Sequence, residues 1–505
     1  MLDIIYGLQQ ALTLPSLAAC FTGTALGIVF GALPGLTAAM GVALLIPLSF
    51  GMPTVEAFSM LLGMYCGAIY GGCISAILVG TPGTVAAAAT VMEGPKLTAK
   101  GQSLKALEMA TWGSFVGGMV SGLALITCAP LLAQAAMRFG AAEYFALAVF
   151  ALTVVATFSS GNMLKGLTSA FAGLFISTIG IDPVSGDFRN TFNMPDLFNG
   201  VSLVPALVGL FAVSQVILSL EDIFKGQYGI VKYGEVSRKG IGFKELWKQK
   251  VNFLRSSLLG TVIGIIPATG ASAACFIAYG EAKRFSKTPE EFGKGTLEGI
   301  AATESSNNAV TGGALIPMMV LGVPGDVLTA ILLGALMIQG LVPGPLLFAE
   351  HSDAVNAIFG SFFVAQAAML LLGLVIVRIA GKIVNVPTPI LLPIVLVLCA
   401  VGSYATNNSA FDLWLMAVFG FLGYVMLKGD FPLPPMLLAI ILGPIAESNF
   451  RRTLSISRND FSVFVTSPIA AAILVLCLAI IIKVGYDEYK RNRTVRESDT
   501  QQNKE

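Results

Sequence analysis

Gly27-Ile-Val-Phe-Gly31-Ala-Leu-Pro34 returns later in the chain as Gly260-Thr-Val-Ile-Gly264-Ile-Ile-Pro267. Two further motifs return in the same order. Gly80-Thr-Pro-Gly-Thr84 has its counterpart in Gly322-Val-Pro-Gly-Asp326, and Trp112-Gly-Ser-Phe115 has its counterpart in Phe359-Gly-Ser-Phe362. The chain therefore consists of two similar halves.

The basic loops of the two halves alternate out of phase. Residues 51–56 contain no Lys or Arg, whereas the equivalent loop 281–294 contains four. The next loop reverses this, because residues 94–105 contain three lysines and residues 343–353 contain no basic residue. Lys and Arg in short loops mark the cytoplasmic side of a membrane. The halves are therefore predicted to be inverted-topology repeats, the plan of many secondary transporters.

The composition predicts an all-α polytopic membrane protein. Hydrophobic residues make up 55% of the 505 residues, and charged residues only 12%, against about 25% in soluble domains. A spanning helix needs roughly 20 apolar residues, so the chain has room for about 11–12 spans. The first basic residue is Lys96, so no positively charged signal peptide is expected at the amino terminus.

Signatures of enzymes, metal sites and cofactors are missing from the sequence. The seven cysteines lie singly in apolar segments without a C-x-x-C pair, so they are predicted to pack as small apolar residues. A single histidine excludes H-E-x-x-H, and neither G-x-S-x-G nor a phosphate-binding G-x-x-x-x-G-K-[ST] loop occurs. The protein is not expected to be an enzyme or to hold a cofactor.

The repeated Gly-Pro motifs predict two helical hairpins. Apolar arms at 16–33 and 38–50 flank Pro34-Gly-Leu-Thr37, and arms at 254–266 and 268–280 flank Pro267-Ala-Thr-Gly270. Arms such as 38–50, 254–266 and 268–280, with 13 residues each, are short for a full crossing. We expect each pair to enter and leave on one face, with a broken tip that protein or a water-filled cavity must surround. Two short tilted spans are the alternative.

The other apolar segments are predicted to be helices. With the amino terminus in the periplasm and the carboxyl terminus in the cytoplasm, they lie near 106–136, 141–160, 166–181, 201–220, 355–377, 386–402, 411–427, 433–447 and 463–482. The predicted organisation is a first repeat at 1–220, a cytoplasmic linker at 221–252, a second repeat at 253–450, and an extra helix with a basic cytoplasmic tail at 451–505. Arg451, Arg452 and Arg458 fall outside in this topology, against the charge rule.

Polar and glycine-rich clusters predict discontinuous helices and a binding site at the membrane midplane. Gly and Pro break a helix and free backbone groups, which need partners in the membrane interior. Freed N–H groups suit a carboxylate, and freed carbonyls with Asn, Ser and Thr oxygens suit Na⁺. The alternative is that these small residues allow close helix packing.

The candidate substrate- and ion-binding residues come from the hairpin tips, the polar clusters and the Pro-Gly motifs of both halves. They are Pro34, Gly35, Thr37, Tyr70, Gly71, Gly72, Ser75, Thr81, Pro82, Gly83, Pro267, Thr269, Gly270, Ser272, Glu304, Ser305, Ser306, Asn307, Asn308, Thr311, Gly312, Pro324, Gly325 and Asp326. No resident metal is expected, although a transient Na⁺ is expected near Asn307 and Asn308.

Two acidic residues lie in long stretches without basic residues. Intramembrane ionisable groups are costly and mark functional sites, so Glu304 and Asp326 are each predicted to carry a proton or to bind Na⁺. For Asp326, an interfacial loop position is the alternative. Glu93 is expected at the membrane interface, and His351, the only histidine, in a surface loop.

These motifs resemble the large membrane subunit of the tripartite tricarboxylate transporters. The resemblance covers about residues 10–480 and is carried by segments 27–35, 70–83, 260–270 and 303–326. It implies a multi-pass carrier of the bacterial inner membrane that works with a small four-helix membrane subunit and a periplasmic solute-binding protein. It also implies uptake of citrate-like di- and tricarboxylates by symport with Na⁺ or H⁺. A nucleic-acid partner is not expected.

Other functions remain open from sequence. A related binding-protein-dependent dicarboxylate carrier or a stand-alone anion symporter would share these features. An intramembrane aspartyl protease would use Asp326, but its G-x-G-D pattern fails because position 323 is Val. A purely structural subunit would not need two polar, broken segments.

Overall fold

The computed structural model describes residues 4–33, 36–158, 163–182, 185–225, 240–267, 270–383 and 388–502. Helices dominate this described part, and its strands form a single short antiparallel ribbon, Gly180–Ile181 with Phe188–Arg189. Eight helices are long and apolar enough to cross a membrane, and five shorter apolar helices accompany them. The prediction of an all-α polytopic membrane protein is confirmed.

The first half contains ten α-helices among its described residues. They are α1 (Ile4–Ala11), α2 (Leu14–Ala32), α3 (Ala38–Ser49), α4 (Thr54–Val79), α5 (Gly94–Ala99), α6 (Ser103–Ala136), α7 (Ala141–Phe158), α8 (Met163–Ser177), α9 (Leu203–Val208) and α10 (Ser214–Phe224). Short 3₁₀ helices lie at Val85–Ala88, Thr90–Met92 and Pro195–Leu197, and the π-helical turn Gly209–Val213 joins α9 to α10.

The second half repeats much of this order. Its helices are α11 (Phe243–Lys248), α12 (Lys250–Ile265), α13 (Gly270–Phe285), α14 (Leu297–Leu321), α15 (Val327–Ile338), α16 (Pro345–Glu350), α17 (Ser352–Ile383), α18 (Thr388–Asn407), α19 (Ala410–Lys428), α20 (Leu433–Ile456), α21 (Val463–Thr466) and α22 (Pro468–Gln502). A 3₁₀ helix lies at Pro289–Glu291.

Helices α2 and α3, and α12 and α13, are the arms of the two predicted hairpins. Helix α3 has 12 residues, which span about 18 Å at 1.5 Å per residue, well short of the roughly 30 Å hydrocarbon core. The second arm of the first hairpin is therefore too short for a full crossing. The first arm, α2, has 19 residues and is one of the candidate spans, so the expectation of short arms is wrong for it. The tip residues Pro34, Gly35 and Thr269 lie outside the described residues.

Repeat-related glycines make equivalent close contacts in both halves. A Cβ added at Gly31 would lie 2.1 Å from the Ala68 carbonyl oxygen, and one added at Gly264 would lie 2.9 Å from the Val310 carbonyl oxygen. The glycine lets the backbone of α2 touch that of α4, and the backbone of α12 touch that of α14. Small residues allow this approach between membrane helices. The sequence repeat is thus also a repeat of packing.

The helix breaks differ from the prediction in position. Helix α4 continues through Tyr70–Ser75, and helix α14 continues through Glu304–Gly313. The glycines of these clusters pack against neighbouring backbones, which was the alternative interpretation. Each helix ends at a left-handed glycine, Gly80 with φ +76° and Gly322 with φ +68°, where a residue without Cβ is favoured. In these two described stretches, the helices break at the Pro-Gly motifs and not at the polar clusters.

The chain divides into two compact units that interleave in sequence. The first comprises Met1–Met137 and Val204–Tyr424, and the second comprises Arg138–Leu203 and Val425–Glu505. Every candidate site residue belongs to the first unit. Compactness and sequence repetition are separate properties, so the predicted repeat and linker boundaries stay a prediction.

Ion pairs in the second unit involve Arg451, one of the three arginines that opposed the charge rule. Arg451 lies 3.0 Å from Asp182 and 2.7 Å from Glu447, and Arg189 lies 2.7 Å from Glu447. The hydrogen bonds that Arg189 donates to Glu447 raise the pKa of its guanidinium above the ordinary value. The charge of Arg451 is therefore compensated by neighbouring carboxylates, which weakens it as a marker of sidedness.

Candidate functional site

Helix α14 carries the predicted polar residues and is enclosed by protein. All its residues from Gly299 to Val320 are buried, and it packs against α4, α6, α12 and α13. The Thr296 hydroxyl begins the helix by accepting a hydrogen bond from the Glu298 amide. A polar helix is tolerated at membrane depth when protein, rather than lipid, surrounds it.

Glu304 lies fully buried among neutral oxygen and nitrogen groups. The Thr90 hydroxyl donates to one carboxylate oxygen of Glu304, and the Asn307 amide donates to the other at 3.3 Å. Thr303 Oγ1 is 3.0 Å from the Thr90 hydroxyl. Within the described part of the chain, Glu304 forms no ion pair. A proton or a bound cation is therefore needed to neutralise it.

Several fully buried polar atoms beside Glu304 have no hydrogen-bond partner among the described residues. They are Asn307 Oδ1, Asn308 Oδ1, Asn308 Nδ2 and Ser306 Oγ. Leaving such a group unpaired costs about 1–3 kcal/mol. Asn307 and Asn308 lie one helical turn after Glu304 on the same face of α14, so a ligand or ordered water beside this carboxylate would satisfy their side chains. We call residues 304–308 the polar run.

Two other predicted residues are satisfied by their own helix. The Ser305 hydroxyl donates to the Ala301 carbonyl at 2.6 Å, and the Thr311 hydroxyl donates to the Asn308 carbonyl at 2.6 Å. Gly312 packs against α6, where an added Cβ would lie 2.5 Å from Ser121 Oγ. For these three residues, the contacts are those of helix packing.

The Pro-Gly motif of each half folds back onto the hairpin of the same half. We call residues 80–84 the first break and residues 322–326 the second break. A Cβ added at Gly83 would lie 1.9 Å from the Gly31 carbonyl oxygen, and one added at Gly325 would lie 2.8 Å from the Gly264 carbonyl oxygen. Both glycines are required by backbone contact beside the hairpin tips.

The hairpins also reach the opposite half. Helix α3 packs against α15, and helix α13 packs against the turn Val85–Ala88. Ala86 forms one apolar cluster with Ala271, Ala274, Val310 and Ala314. Elements of both hairpins and both breaks therefore meet in one unit. Thr269 lies outside the described residues, so the predicted single binding site at the two tips stays a prediction.

The second break carries a carboxylate that joins the two halves. The Asp326 carboxylate caps α15 by accepting from the Thr329 amide at 2.7 Å. It also accepts from the Tyr65 hydroxyl of α4 at 2.9 Å. Asp326 thus has a structural role as a helix cap, and Glu304 lacks one.

The other predicted residues occupy varied surroundings. Tyr70 is fully buried and its hydroxyl lies 2.7 Å from Thr111 Oγ1. Thr37 caps α3 by accepting from the Met40 amide at 3.1 Å. Thr81 and Pro82 are exposed, whereas Pro324 is buried. Gly71, Gly72 and Ser75 are buried in α4, where the Gly83 amide donates to the Gly72 carbonyl at 3.2 Å. The remaining members beside the second tip are partly exposed: Pro267, Gly270 and Ser272.

Sequence reasoning missed three polar residues near the candidate site. Thr90 contacts Glu304, Tyr65 contacts Asp326, and the fully buried Gln366 places its amide nitrogen 3.1 Å from Cys66 Sγ. Each is a single polar residue in an apolar segment. An amide in the middle of the spanning helix α17 was a usable signal for Gln366, because buried polar groups in membrane helices need partners.

A comparison with known protein families gives the chain an identity at the level of family. Residues 17–438 match the model described as the Tripartite tricarboxylate transporter TctA family. The chain belongs to the TctA family. The matched range contains both hairpins, both breaks and the polar run. Members of this family are large subunits of tripartite tricarboxylate transporters. By family membership, this chain is a transporter subunit rather than an enzyme.

Two relatives of this TctA-family chain come from Agrobacterium vitis. An "Uncharacterized 52.8 kDa protein in TAR-I ttuC' 3'region" is 36% identical over 493 residues, which are 95% of this chain and 96% of that protein. An "Uncharacterized protein in TAR-II ttuC' 3'region" is 36% identical over 223 residues, which are 44% of this chain and 92% of that protein. No solved structure matches the chain.

Proposed function

We propose that this TctA-family protein takes up citrate-like di- or tricarboxylates by cation-coupled symport across the bacterial inner membrane. In this proposal it is the large subunit of a complex with a small four-helix membrane subunit and a periplasmic solute-binding protein. The observation that carries the proposal is the polar run, where a carboxylate without an ion pair among the described residues is buried beside amide atoms that lack hydrogen-bond partners. Family membership supports the substrate class.

Glu304 is the proposed coupling residue. The carboxylate and its hydroxyl and amide neighbours resemble the hard oxygen ligands that Na⁺ accepts at broken-helix transporter sites. A proton is the other neutralising partner. The neighbouring Asn307 and Asn308 are proposed to supply the remaining oxygens and N–H donors to the cation or the substrate.

The proposed inverted topology is supported by contacts at the two ends of α4 and α14. The Thr98 hydroxyl donates to the Ile77 carbonyl at the end of α4, and Lys100 donates to the Gly295 carbonyl just before α14 begins. At the other ends, Gln339 donates to the Ser49 carbonyl, which precedes α4. The end of α4 is therefore near the start of α14, as expected for antiparallel equivalents.

Sidedness is testable with single cysteines at Thr54 and Thr288 in a background without the seven native cysteines. A membrane-impermeant maleimide should label the two positions from opposite faces. In the proposed topology, Thr54 reacts from the periplasm and Thr288 from the cytoplasm. Reaction of both from one face would contradict the inverted arrangement.

Transport is testable by reconstituting the three proteins in liposomes. A panel of labelled carboxylates is offered with an imposed Na⁺ gradient, a proton gradient or neither. We expect concentrative uptake of a di- or tricarboxylate that depends on one gradient and on the binding protein. Uptake that proceeds equally without a gradient would contradict symport, and uptake without the binding protein would identify a stand-alone carrier.

A further inference from the structure

Glu93 is fully buried in a site built by the opposite half of the chain. It follows the first break, yet the described residues that donate to its carboxylate belong to α13 and to the loop that leads into α14. The Tyr279 hydroxyl donates at 2.6 Å, the Gly295 amide at 2.7 Å and the Thr296 amide at 3.0 Å, and the Gly293 amide donates as well. The carboxylate is thus enclosed by protein, and the expected depth of Glu93 at the membrane interface stays a prediction.

The four donors form a concave site for a carboxylate, which we call the nest. Gly293 and Gly295 have φ +81° and +93°, a left-handed conformation that lets successive amides point to one place. A Cβ added at Gly299 would lie 2.7 Å from Glu93 Cγ, so this glycine also makes room for the side chain. Three glycines thus fit the loop to the carboxylate.

The same loop is held by two lysines of the first half. Lys96 donates to the Gly293 carbonyl, and Lys100 donates to the Gly295 carbonyl at 3.2 Å. Glu93 therefore binds the amides of the loop while the lysines bind its carbonyls. Charge-assisted hydrogen bonds are the stronger class, and here they join the two halves at the loops that carry basic residues.

A short segment connects the nest to the polar run. Thr90 donates to Glu304, and Glu93 lies three residues later, beyond the 3₁₀ helix Thr90–Met92. Displacing this segment would disturb the partner of Glu304 and the ligand of the nest together. The geometry couples the proposed ion-binding carboxylate to the contact between the halves.

We propose that Glu93 is the latch of a gate on the side of the basic loops, which is the cytoplasmic side in the proposed topology. The latch is closed when the Glu93 carboxylate occupies the nest. When it leaves, the two halves separate there and the polar run opens to that side. This inference rests on the proposed transport function, but its test does not require transport.

The test measures the accessibility of a single cysteine at Ala302, which is buried in one cluster with Tyr279 and Phe292. In inside-out vesicles, a membrane-impermeant maleimide should react with Ala302→Cys at least about tenfold faster when Glu93→Ala is added, because several charge-assisted hydrogen bonds are lost. Formate should then slow the reaction by binding the empty nest, and chloride at equal concentration should not. Glu290→Ala, in the exposed turn of the same loop, is the matched control and should leave the rate unchanged.

Tyr279→Phe is the second variant, for use if Glu93→Ala does not yield folded protein. It removes one donor and keeps the ring contact with Phe292, whose centroid lies 5.3 Å away. We expect a smaller acceleration of labelling that formate does not reverse. Unchanged labelling in the folded variants, or equal reversal by formate and chloride, would overturn the latch. If labelling changes as expected but the protein transports no carboxylate, the proposed function is contradicted and the latch is not.

Discussion

The two breaks are similar in sequence and different in structure. Thr81 and Pro82 of the first break are exposed, whereas residues 322–325 of the second break are buried. After the first break the chain forms only short 3₁₀ helices, and after the second it forms the regular 12-residue helix α15. The first break is therefore more exposed than the second, and no regular α-helix directly follows it.

The residue that ends each break accounts for much of this difference. Asp326 and Thr329 form a reciprocal capping box at the start of α15, which satisfies helix N–H groups. The equivalent Thr84 makes no capping hydrogen bond, and its hydroxyl is unpartnered among the described residues. The capping residue therefore distinguishes the two breaks, and the same Pro-Gly dipeptide is followed by different structure in the two halves.

The largest expected effect is a difference between Glu304 and Asp326 in the ion dependence of uptake. Glu304→Gln should raise the Na⁺ concentration for half-maximal uptake at least about tenfold, because a buried ligand charge is lost. If the coupling ion is H⁺, the same change should flatten the pH dependence of uptake. Both are measured in proteoliposomes with imposed gradients.

Asp326→Asn is the matched control for Glu304→Gln. Asn is as good a helix cap as Asp, so α15 should keep its start and ion dependence should stay that of the parent protein. If Asp326→Asn changed the ion dependence and Glu304→Gln did not, the coupling role would belong to the second break.

Losing an amide of the polar run should lower transport more than membrane abundance. Asn308→Ala removes two buried, unpartnered polar atoms, so little folding free energy depends on them, while a bound ligand would lose its partner. Uptake per molecule is compared with the amount of protein in the membrane. Equal losses of protein and uptake would favour a packing role for Asn308.

Accessibility should differ between equivalent positions of the two breaks. Thr81→Cys is expected to react with a small maleimide several-fold faster than Val323→Cys, because Thr81 is exposed and Val323 is 1% exposed. Both variants are made without the native cysteines, since Cys128 is exposed. Equal rates would mean that both breaks are open to the same degree.

The smallest expected effect concerns the cap. Asp326→Ala should lower the free energy of unfolding by about 0.5–2 kcal/mol, the usual cost of losing an N-cap. Thr84→Ala should change it far less, because Thr84 caps nothing. Thermal unfolding in detergent with both variants measures the difference. A larger loss from Thr84→Ala would contradict the assignment of the stabilising helix cap to the second break.

Local sequence signals predicted most of the fold. Helix positions, hairpin arms and the Pro-Gly breaks follow from apolar length, proline and left-handed glycine, which act within a few residues. These signals left open whether Gly71 and Gly313 break a helix or allow close packing. Whether a glycine breaks a helix depends on a neighbouring backbone, and here the Cβ positions of both glycines lie 2.5 Å from carbonyl oxygens of the adjacent helix.

The candidate site was predicted less completely. Five consecutive polar residues, 304–308, within an apolar segment predict the polar run before any contact is known. Glu93 gives no such signal, because it precedes Gly-Pro-Lys like an ordinary loop residue, and its partners lie about 200 residues later. A contact between halves depends on how the repeats are assembled, which local patterns do not encode.

The interleaving of the two compact units has a consequence for biosynthesis. Helices α7 and α8 enter the membrane early, but α20, against which both pack, is made only after the whole of residues 204–424. A Cβ added at Gly173 of α8 would lie 2.3 Å from the Met436 carbonyl oxygen. This glycine therefore packs against a backbone that is synthesised later. Because domains fold as units during synthesis, the unit with the polar run has its full chain before the other unit can close. Lipid or the insertion machinery must cover the waiting faces of α7 and α8 until the last helices emerge.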